Sequence, residues 1–263
     1  MKIVEITLTK TVKIPLEFDN VLPELLYDKS IEEIGNTIIY QGNKEKKLGE
    51  FFEINVEGSC DEACDCKLII NGNLDRIKYI GNKMSCGSII ANGNVDLHAG
   101  SMMSGGRLVI NGNAESYLGR EMTGGLIKVN GSVREFCGSS YVGEWRGMNG
   151  GTIIVEADAG KQLADCMMKG HIHIKGNCDI LPGVHMAGGF IQIDGDVESW
   201  PGGQMKKGTI VVNGHIKDML QGFKLQEIIH NPLINNRYFI GRYKLYIGDI
   251  GANGKGHLWV KIR

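Results

Sequence analysis

Residues 100–113 read GSMMSGGRLVINGN, and a similar stretch, GREMTGGLIKVNGS, begins 19 residues later at Gly119. A third copy, GVHMAGGFIQIDGD, occupies residues 183–196. Each copy carries Gly-x-x-Met-x-Gly-Gly, then two apolar residues spaced by two, then an Asn-Gly-like step. A short unit that keeps its glycines and methionine in register indicates a repeat architecture.

The repeat continues through most of the chain. The residues that open each Asn-Gly-like step are separated by 21, 19, 19, 26, 19, 19 and 19 residues, at Asn71, Asn92, Asn111, Asn130, Glu156, Lys175, Asp194 and Asn213. The period is therefore 19, with one insertion of two residues and one of seven. Seven methionines precede these anchors by eight residues, and we expect this flexible apolar column to fill the core.

The apolar pair in each repeat predicts a strand, because a spacing of two places both side chains on one face. A propeller blade is about 40 residues long, whereas a 19-residue unit with glycine corners is typical of a parallel β-helix. We therefore predict an all-β protein with a right-handed parallel β-helix of about eight coils. The predicted organisation is an N-terminal cap at 1–50, the β-helix at 51–222 and a C-terminal β extension or cap at 223–263.

Two details of this prediction can be tested directly. Residues 22–34, LPELLYDKSIEEI, contain a short helical candidate. Ile69, Ile90 and Val109 fall at outward strand positions although they are apolar, so we expect a terminal segment or a partner to cover that side. Bare coil ends and an apolar outer wall also predict self-association of the isolated chain.

Composition excludes several classes of protein. Glycine supplies 38 of 263 residues and proline only 5, so neither collagen nor a proline-rich linker is indicated. A net charge of −1 gives no bulk attraction to nucleic acid or to an anionic membrane. No apolar run reaches the about 20 residues of a membrane helix, and the first ten residues do not resemble a signal peptide. Seven cysteines, an odd number, then favour reduced thiols in the cytoplasm.

The cysteines are the first candidates for chemistry. Cys60, Cys64 and Cys66, with Cys86 one coil later, could ligate zinc or an iron–sulfur cluster. Their spacing matches none of the common ligand patterns, and Cys60 and Cys66 coincide with the small corner residues of the repeat. The sequence favours a structural role and leaves metal binding open.

Carboxylates form a second candidate. Asp75, Asp96 and Glu115 fall in one predicted column on adjacent coils, and Arg134 follows them. Like charges about 5 Å apart raise a pKa or attract a cation, as in β-helical polysaccharide lyases and hydrolases. No aromatic row for sugar stacking is expected beside them. The sequence therefore favours a solvated ladder over a stand-alone carbohydrate-active enzyme.

The remaining candidates are histidines and the longer insertion. His171 and His173 share one strand face, while His185 and His215 stand apart, and no histidine–carboxylate constellation is evident.

The insertion at 139–147, SSYVGEWRG, brings together residue types enriched at interface hot spots: Tyr141, Trp145 and Arg146. We expect it to contact a neighbouring subunit, the alternative being a loop folded onto its own wall. No catalytic, cofactor-binding or metal-binding residue is assigned.

The motif Gly-x-x-Met-x-Gly-Gly resembles the glycine-rich β-helix at the C-terminus of the large subunit of glutamate synthase. A closer resemblance is to the C subunit of formylmethanofuran dehydrogenase, and it covers essentially the whole chain. The motif specifies only the fold, whereas the two ends carry the resemblance to that subunit, through Ile14–Glu17, Ile38–Asn43, Leu48–Phe52 and Gly248–Gly256.

The resemblance implies a complex that reduces carbon dioxide and attaches it as a formyl group to methanofuran, in the first step of methanogenesis. A tungsto- or molybdopterin subunit, an amidohydrolase-like subunit and iron–sulfur subunits are implied as partners. This chain would be their noncatalytic scaffold and would bind no cofactor itself. A related subunit in a non-redox formyltransferase/hydrolase complex is the alternative; the Lys- and Ile-rich composition favours an archaeal methanogen.

Overall fold

The computed structural model describes residues 1–262, and their regular secondary structure is mostly β-strand with a few short helices. Two short α-helices, α1 (Pro23–Leu26) and α2 (Ile31–Gly35), are accompanied by single 3-10 turns at Leu48–Glu50, Ala63–Asp65 and Ile250–Ala252. The strands are β1 (Lys2–Leu8), β2 (Leu16–Glu17), β3 (Ile38–Gln41), β4 (Lys44–Lys47), β5 (Phe52–Glu57), β6 (Cys66–Asn71), β7 (Ile77–Lys78), β8 (Ser88–Asn92), β9 (Arg107–Ile110), β10 (Leu126–Val129), β11 (Asn149–Val155), β12 (Lys169–Ile174), β13 (Cys178–Ile180), β14 (Ala187–Ile193), β15 (Val197–Ser199), β16 (Lys207–Val212), β17 (Ile216–Asp218), β18 (Lys224–His230), β19 (Leu233–Ile234), β20 (Arg237–Tyr238), β21 (Arg242–Gly248) and β22 (Gly256–Ile262).

The main sheet has thirteen strands in the order β18-β21-β22-β16-β14-β12-β11-β10-β9-β8-β6-β1-β5. From β6 to β16 every strand pairs in parallel with the corresponding strand of the next repeat. Ile127, for example, is paired with Leu108 of the preceding repeat and Ile153 of the following one. The 19-residue period therefore places equivalent residues side by side in continuous columns.

Two further hydrogen-bonded runs accompany this sheet. Short parallel bridges join Val95, Ala114, Val133 and Ala159, and the run continues through β13, β15 and β17. On the glycine-rich side, the Gly119 N–H donates to the Ala99 carbonyl at 2.8 Å, as equivalent glycines do along the chain. Each regular repeat thus contacts its neighbours at three successive places.

The core follows the predicted columns. Both members of the apolar pair are buried in every repeat, as Leu108 and Ile110 are. The structural role predicted for the methionine column is confirmed, because all seven of its side chains have no exposed surface: Met84, Met103, Met122, Met148, Met167, Met186 and Met205. Their unbranched thioethers fill the space between strand and corner in successive repeats.

The paired glycines that follow four of the seven methionines, as at Gly105 and Gly106, have a steric cause. A Cβ on Gly105 would lie 2.0 Å from the Ser85 carbonyl oxygen of the preceding repeat. Gly106 has a φ of +71°, in the left-handed region that favours glycine. The first glycine therefore permits close stacking, and the second permits the corner that starts the strand.

The N-terminal segment extends the main sheet at one end. Strand β1 lies between β6, with which it is parallel, and β5, with which it is antiparallel. The helical candidate at residues 22–34 forms two short helices instead of one, because Pro23 starts the first and Ser30 caps the second with Glu33 in a capping box.

The C-terminal segment extends the opposite end and folds back over the outer face. Strand β22 pairs in parallel with β16 and antiparallel with β21. A second apolar cluster forms there, in which Phe239, Tyr243 and Trp259 pack on Phe190 and Val211. This segment covers the last repeats rather than Ile69, Ile90 and Val109, which remain only partly buried, so coverage of those three by a partner stays a prediction.

Candidate functional site

The seven-residue insertion, here called the insertion loop (139–147), has a fixed base. The Ser140 N–H donates to the Asp165 carbonyl at 3.2 Å, and the Gly147 N–H donates to the Cys166 carbonyl at 2.9 Å. Ser139 is fully buried, and its hydroxyl donates to the Phe136 carbonyl at 2.7 Å. The base therefore folds onto the wall of its own chain.

The tip of the insertion loop is exposed instead. Val142 is 76% exposed and Trp145 is 64% exposed, while the Arg146 guanidinium lies 4.2 Å from the centre of the Trp145 ring. Stacking on arginine is an attractive contact that orders an exposed aromatic ring. The base of the loop thus folds onto its own wall, as one alternative predicts, while contact of the exposed tip with a neighbouring subunit stays a prediction.

Beside the loop runs a column of stacked rings, here called the aromatic ladder, formed by Tyr79, His98, Tyr117 and Phe136. Ring centroids along it are 5.0, 5.1 and 4.9 Å apart, and the planes are tilted by 18° at most. Tyr141 of the insertion loop leans against His98 and Tyr117 at 6.0 and 5.5 Å. The ladder therefore joins the loop to the wall.

His98 is the chemically unusual member of the ladder. Its Nδ1 atom is buried and has no hydrogen-bond partner. Burial, aided by the nearby cations Arg120 and Lys78, lowers the pKa of His98 to about 4. The imidazole is therefore neutral at physiological pH and packs as an aromatic ring.

The prediction that no aromatic row accompanies the carboxylates is wrong, since the aromatic ladder stands two residues after Asp96, Glu115 and Arg134 in successive repeats. Its rings stack face to face, so neighbouring rings cover one another's faces. A sugar-binding platform needs a free ring face, so this arrangement does not suit carbohydrate stacking.

The predicted carboxylate column also needs correction. The Asp96 N–H donates to the Ile77 carbonyl, just as the Glu115 N–H donates to Val95. Ile77 is therefore the counterpart of Val95, and Lys78, not Asp75, precedes Asp96 in the column. Asp75 stands outside the register, and three adjacent carboxylates do not form.

Glu115 is instead paired with a cation. The Arg134 Nε atom lies 3.3 Å from its carboxylate, and both side chains are largely exposed. An exposed pair of this kind is a solvated ladder of alternating charge, and a general acid or base needs a more protected carboxyl group.

The histidines have carboxylate partners that the sequence did not reveal. His173 Nε2 lies 2.6 Å from Asp194 Oδ2, and His185 Nδ1 lies 2.9 Å from Asp165 Oδ1. Each partner is 20 or 21 residues away, on an adjacent repeat. His171, by contrast, packs edge-on against Phe190 at 4.9 Å. An alignment of successive 19-residue repeats would have placed each histidine near its carboxylate partner.

Comparison with curated proteins reveals relatives that match along the whole chain. The chain is 50% identical over 251 residues to the C subunit of the tungsten-containing formylmethanofuran dehydrogenase 2 of Methanothermobacter marburgensis, covering 95% of this chain and 93% of that protein. The corresponding subunit of Methanococcus maripaludis is 45% identical over 258 residues. The chain belongs to the family of formylmethanofuran dehydrogenase C subunits.

A solved structure gives the same result for the fold. A chain of the formyltransferase/hydrolase complex of Methylorubrum extorquens, crystallised with methylofuran, superposes with a TM-score of 0.86 and 26% identity. The match covers 98% of this chain and 100% of that chain. No family model matches the sequence. Members of the C-subunit family thus share this architecture with a subunit of a second formyl-handling complex.

The metal groups implied by the family can be tested against the thiols. Burial raises the pKa of Cys66 to about 11, and burial together with a hydrogen bond to the Cys64 thiol raises that of Cys86 to about 12. An iron–sulfur cluster needs four converging thiolates. Within residues 1–262, no three of the four cysteines 60, 64, 66 and 86 converge as a ligand group, so this cluster of thiols does not fit such a group.

No helix among residues 1–262 has the length and apolar character needed to cross a bilayer. Beyond the regular repeats, the described residues present the insertion loop, the aromatic ladder beside it and the C-terminal segment.

Proposed function

We propose that this chain is the scaffold subunit of a formylmethanofuran dehydrogenase, a complex that reduces carbon dioxide and attaches it as a formyl group to methanofuran. In this proposal the chain is noncatalytic and holds catalytic subunits in a fixed relation. Residues 51–222 form a right-handed parallel β-helix, with caps at 1–50 and 223–263. The subunit works in the cytoplasm, where its seven unpaired cysteines stay reduced.

The observation that carries the proposal is the separation of two exposed apolar surfaces. One is the tip of the insertion loop. The other, here called the C-terminal patch, consists of large apolar side chains that are about half exposed or more: Leu225, Ile228, Leu233, Tyr238 and Ile240. Large apolar side chains left exposed in one segment of the chain are typical of protein interfaces.

A rigid body joins the two surfaces. The main sheet continues through every repeat between them, and each repeat is hydrogen-bonded to its neighbours at three places. Adjacent parallel strands lie about 4.8 Å apart, so the insertion loop and the C-terminal patch are held at a fixed separation of several strands. A spacer of this type can set the distance between two larger proteins.

The cofactors are assigned to other subunits. The relatives are named as tungsten-containing or molybdenum-containing enzymes. The thiols of this chain are dispersed or buried, as described above, and a metallopterin or iron–sulfur cluster is better accommodated by partner chains. We propose that tungsten or molybdenum and iron belong to the complex as a whole.

The test is purification of a tagged full-length chain from its native host without oxygen, followed by mass spectrometry and metal analysis. Stoichiometric large subunits with tungsten or molybdenum and iron are the expected result. Recovery of the chain alone, as a soluble monomer, would overturn the scaffold function.

Two variants refine this experiment. Trp145→Ala removes the exposed ring of the insertion loop, whereas Trp200→Ala removes another exposed ring away from the loop. We expect Trp145→Ala to weaken subunit recovery at least tenfold, as removal of about 1.4 kcal/mol or more of a hot-spot contact does. Thermal unfolding of the free chain should stay unchanged. A large loss of stability with intact assembly would contradict the interface role of the loop.

A second candidate function is the non-redox formyltransferase/hydrolase complex, which the superposition with the Methylorubrum extorquens chain favours. The higher identity to the dehydrogenase subunits makes it the less supported alternative. Recovery with large subunits but without tungsten, molybdenum or iron would favour it. The Arg134–Glu115 pair and the closed aromatic ladder argue against a stand-alone carbohydrate-active enzyme.

A further inference from the structure

Three different metal-binding side chains meet beneath the insertion loop. Asp165 offers a carboxylate, Cys166 a thiol and His185 an imidazole, and one donor atom from each lies within 4.8 Å of the others. The Asp165 Oδ1 and His185 Nδ1 atoms are already 2.9 Å apart. Throughout residues 1–262 this is the only place where three such donors converge.

The repeat builds this cluster from neighbouring coils. Cys166 and His185 are 19 residues apart, one period, and so occupy the same place in successive repeats. The Cys166 N–H donates to the Val184 carbonyl at 3.0 Å, and the His185 N–H donates to the Gly203 carbonyl at 2.8 Å. Regular stacking therefore fixes the spacing of two donors, while Asp165 approaches from the preceding position on the chain.

A histidine–carboxylate pair by itself does not explain the thiol. The Cys166 thiol is partly buried beside Asp165 and Ser140, which both influence its pKa, although a cysteine that only fills space needs no polar neighbours. Three donors of different type, open to solvent on the His185 side, are a ligand set rather than a simple ion pair.

The donor chemistry selects the metal. Calcium and magnesium take oxygen ligands, so a thiol and an imidazole exclude them. Zinc accepts nitrogen, sulfur and oxygen in a tetrahedral arrangement. We propose that Asp165, Cys166 and His185 bind one Zn²⁺ ion, with the fourth position open to water or to the Ser140 hydroxyl.

Such an ion would stabilise the base of the insertion loop. The carbonyls that accept from the two ends of the loop, at Ser140 and Gly147, belong to Asp165 and Cys166 themselves. Coordination of these two residues would hold both hydrogen bonds in place and connect the loop to the following repeat through His185. The exposed Trp145 tip would then project from a metal-fixed base.

Zinc binding also has a proton signature. Burial, with Asp165 beside it, raises the pKa of Cys166 to about 11, so the free thiol keeps its proton at neutral pH. The thiolate is the ligand, and binding must therefore release one proton into solution.

The test is titration of the full-length, chelator-treated chain with zinc by calorimetry, and with cobalt by absorption. We expect one Zn²⁺ per chain and a cobalt–thiolate charge-transfer band. Cys166→Ser and His185→Gln should each weaken zinc binding more than about a hundredfold, beyond the loss typical of residues that merely orient a ligand. Cys64→Ser, which alters an exposed thiol elsewhere, should bind zinc normally.

Hydrogen exchange at the amides of Ser140 and Gly147 gives a second readout. Exchange there should slow on zinc addition to the wild-type chain and stay unchanged in Cys166→Ser. Absence of zinc binding in the wild type, or binding that depends on Cys64 and survives Cys166→Ser, would overturn the site. Zinc binding without slower exchange at those amides would overturn its action on the loop. Neither result depends on the partners of the proposed complex.

Discussion

The residues that open each Asn-Gly-like step stack into one column, here called the anchor column. Its side chains change from amides to charged groups halfway along the molecule. Before the insertion loop it is an amide ladder, in which the Nδ2 atoms of Asn92, Asn111 and Asn130 each donate to the Oδ1 atom of the preceding asparagine at 2.7 Å. After the loop, Glu156 accepts from Lys175 at 2.6 Å, and Asp194 follows. The parallel pairing of the main sheet continues through both halves, while the side-chain chemistry of this column changes.

A stacked column of side chains requires both hydrogen-bond donors and acceptors. An amide carries a donor and an acceptor, so it can repeat without limit and without regard to pH. A carboxylate only accepts, so each one must be matched by donors on its neighbours. Asp194 obtains them from Nε2 of His173 at 2.6 Å, Nε2 of Gln192 at 2.7 Å and Nδ2 of Asn213 at 2.7 Å.

This network also ties down the C-terminal segment, because the Tyr243 hydroxyl donates to Asn213 Oδ1 at 2.6 Å. Burial opposes ionisation of Asp194, but its three hydrogen bonds outweigh that effect and lower its pKa to about 2. The second half of the column is thus more strongly connected and more sensitive to conditions than the first.

The largest expected effect comes from removing the centre of that network. Asp194→Ala leaves buried Gln192, and Asn213 with it, without an acceptor, and should lower the free energy of unfolding by about 2–3 kcal/mol. Asn111→Ala removes two exposed amide contacts and should cost about 1 kcal/mol. Urea unfolding of both variants measures the difference, and equal losses would remove the distinction between the halves.

Acid should destabilise the second half of the column more than the first. The effect should be smaller than that of Asp194→Ala, because a protonated Asp194 still occupies its place. The folded-state pKa lies below the ordinary value of 3.8, so its stabilising contribution is complete above that value and is lost as the pH falls toward about 2. Hydrogen exchange, corrected for intrinsic rates, should show residues 190–213 losing protection before residues 92–130. Asp194→Asn should abolish this order; an unchanged order in that variant would assign the effect to another group.

Salt should produce the smallest effect. Glu156 lies between Lys175 at 2.6 Å and Lys128 at 3.2 Å on an exposed face, where dissolved ions screen charge. Lys175→Ala should lower the urea midpoint slightly in dilute buffer and not at all in concentrated salt. Asn92→Ala is the control, and its effect should be the same at both salt concentrations.

The regular part of the fold is predictable from the sequence because each position is repeated. The methionine column, the buried apolar pairs and the outward positions all follow from the 19-residue period and strand alternation. The sequence locates the short helices correctly but merges them, since the turn at residues 27–30 has no strong breaker.

The misassigned features involve contacts between repeats where the period is disturbed or the residue type varies. Spacing alone places Asp75 in the wrong column, because it does not say on which side of Asp75 the two extra residues lie. The aromatic ladder is not apparent in the sequence because three residue types, Tyr, His and Phe, occupy the same position in successive repeats. The Asp165–Cys166–His185 group escapes it because its donors come from two repeats.

The pairing order of the main sheet has a consequence for biosynthesis. From β8 to β16, each strand needs only the strand made one repeat earlier, so a chain emerging from the ribosome can add its coils one at a time. Strand β22 differs, because about 40 residues of C-terminal chain must be made before it reaches β16. Until then the last coil presents a bare strand edge, and this interval is when a nascent chain is most exposed to wrong pairing.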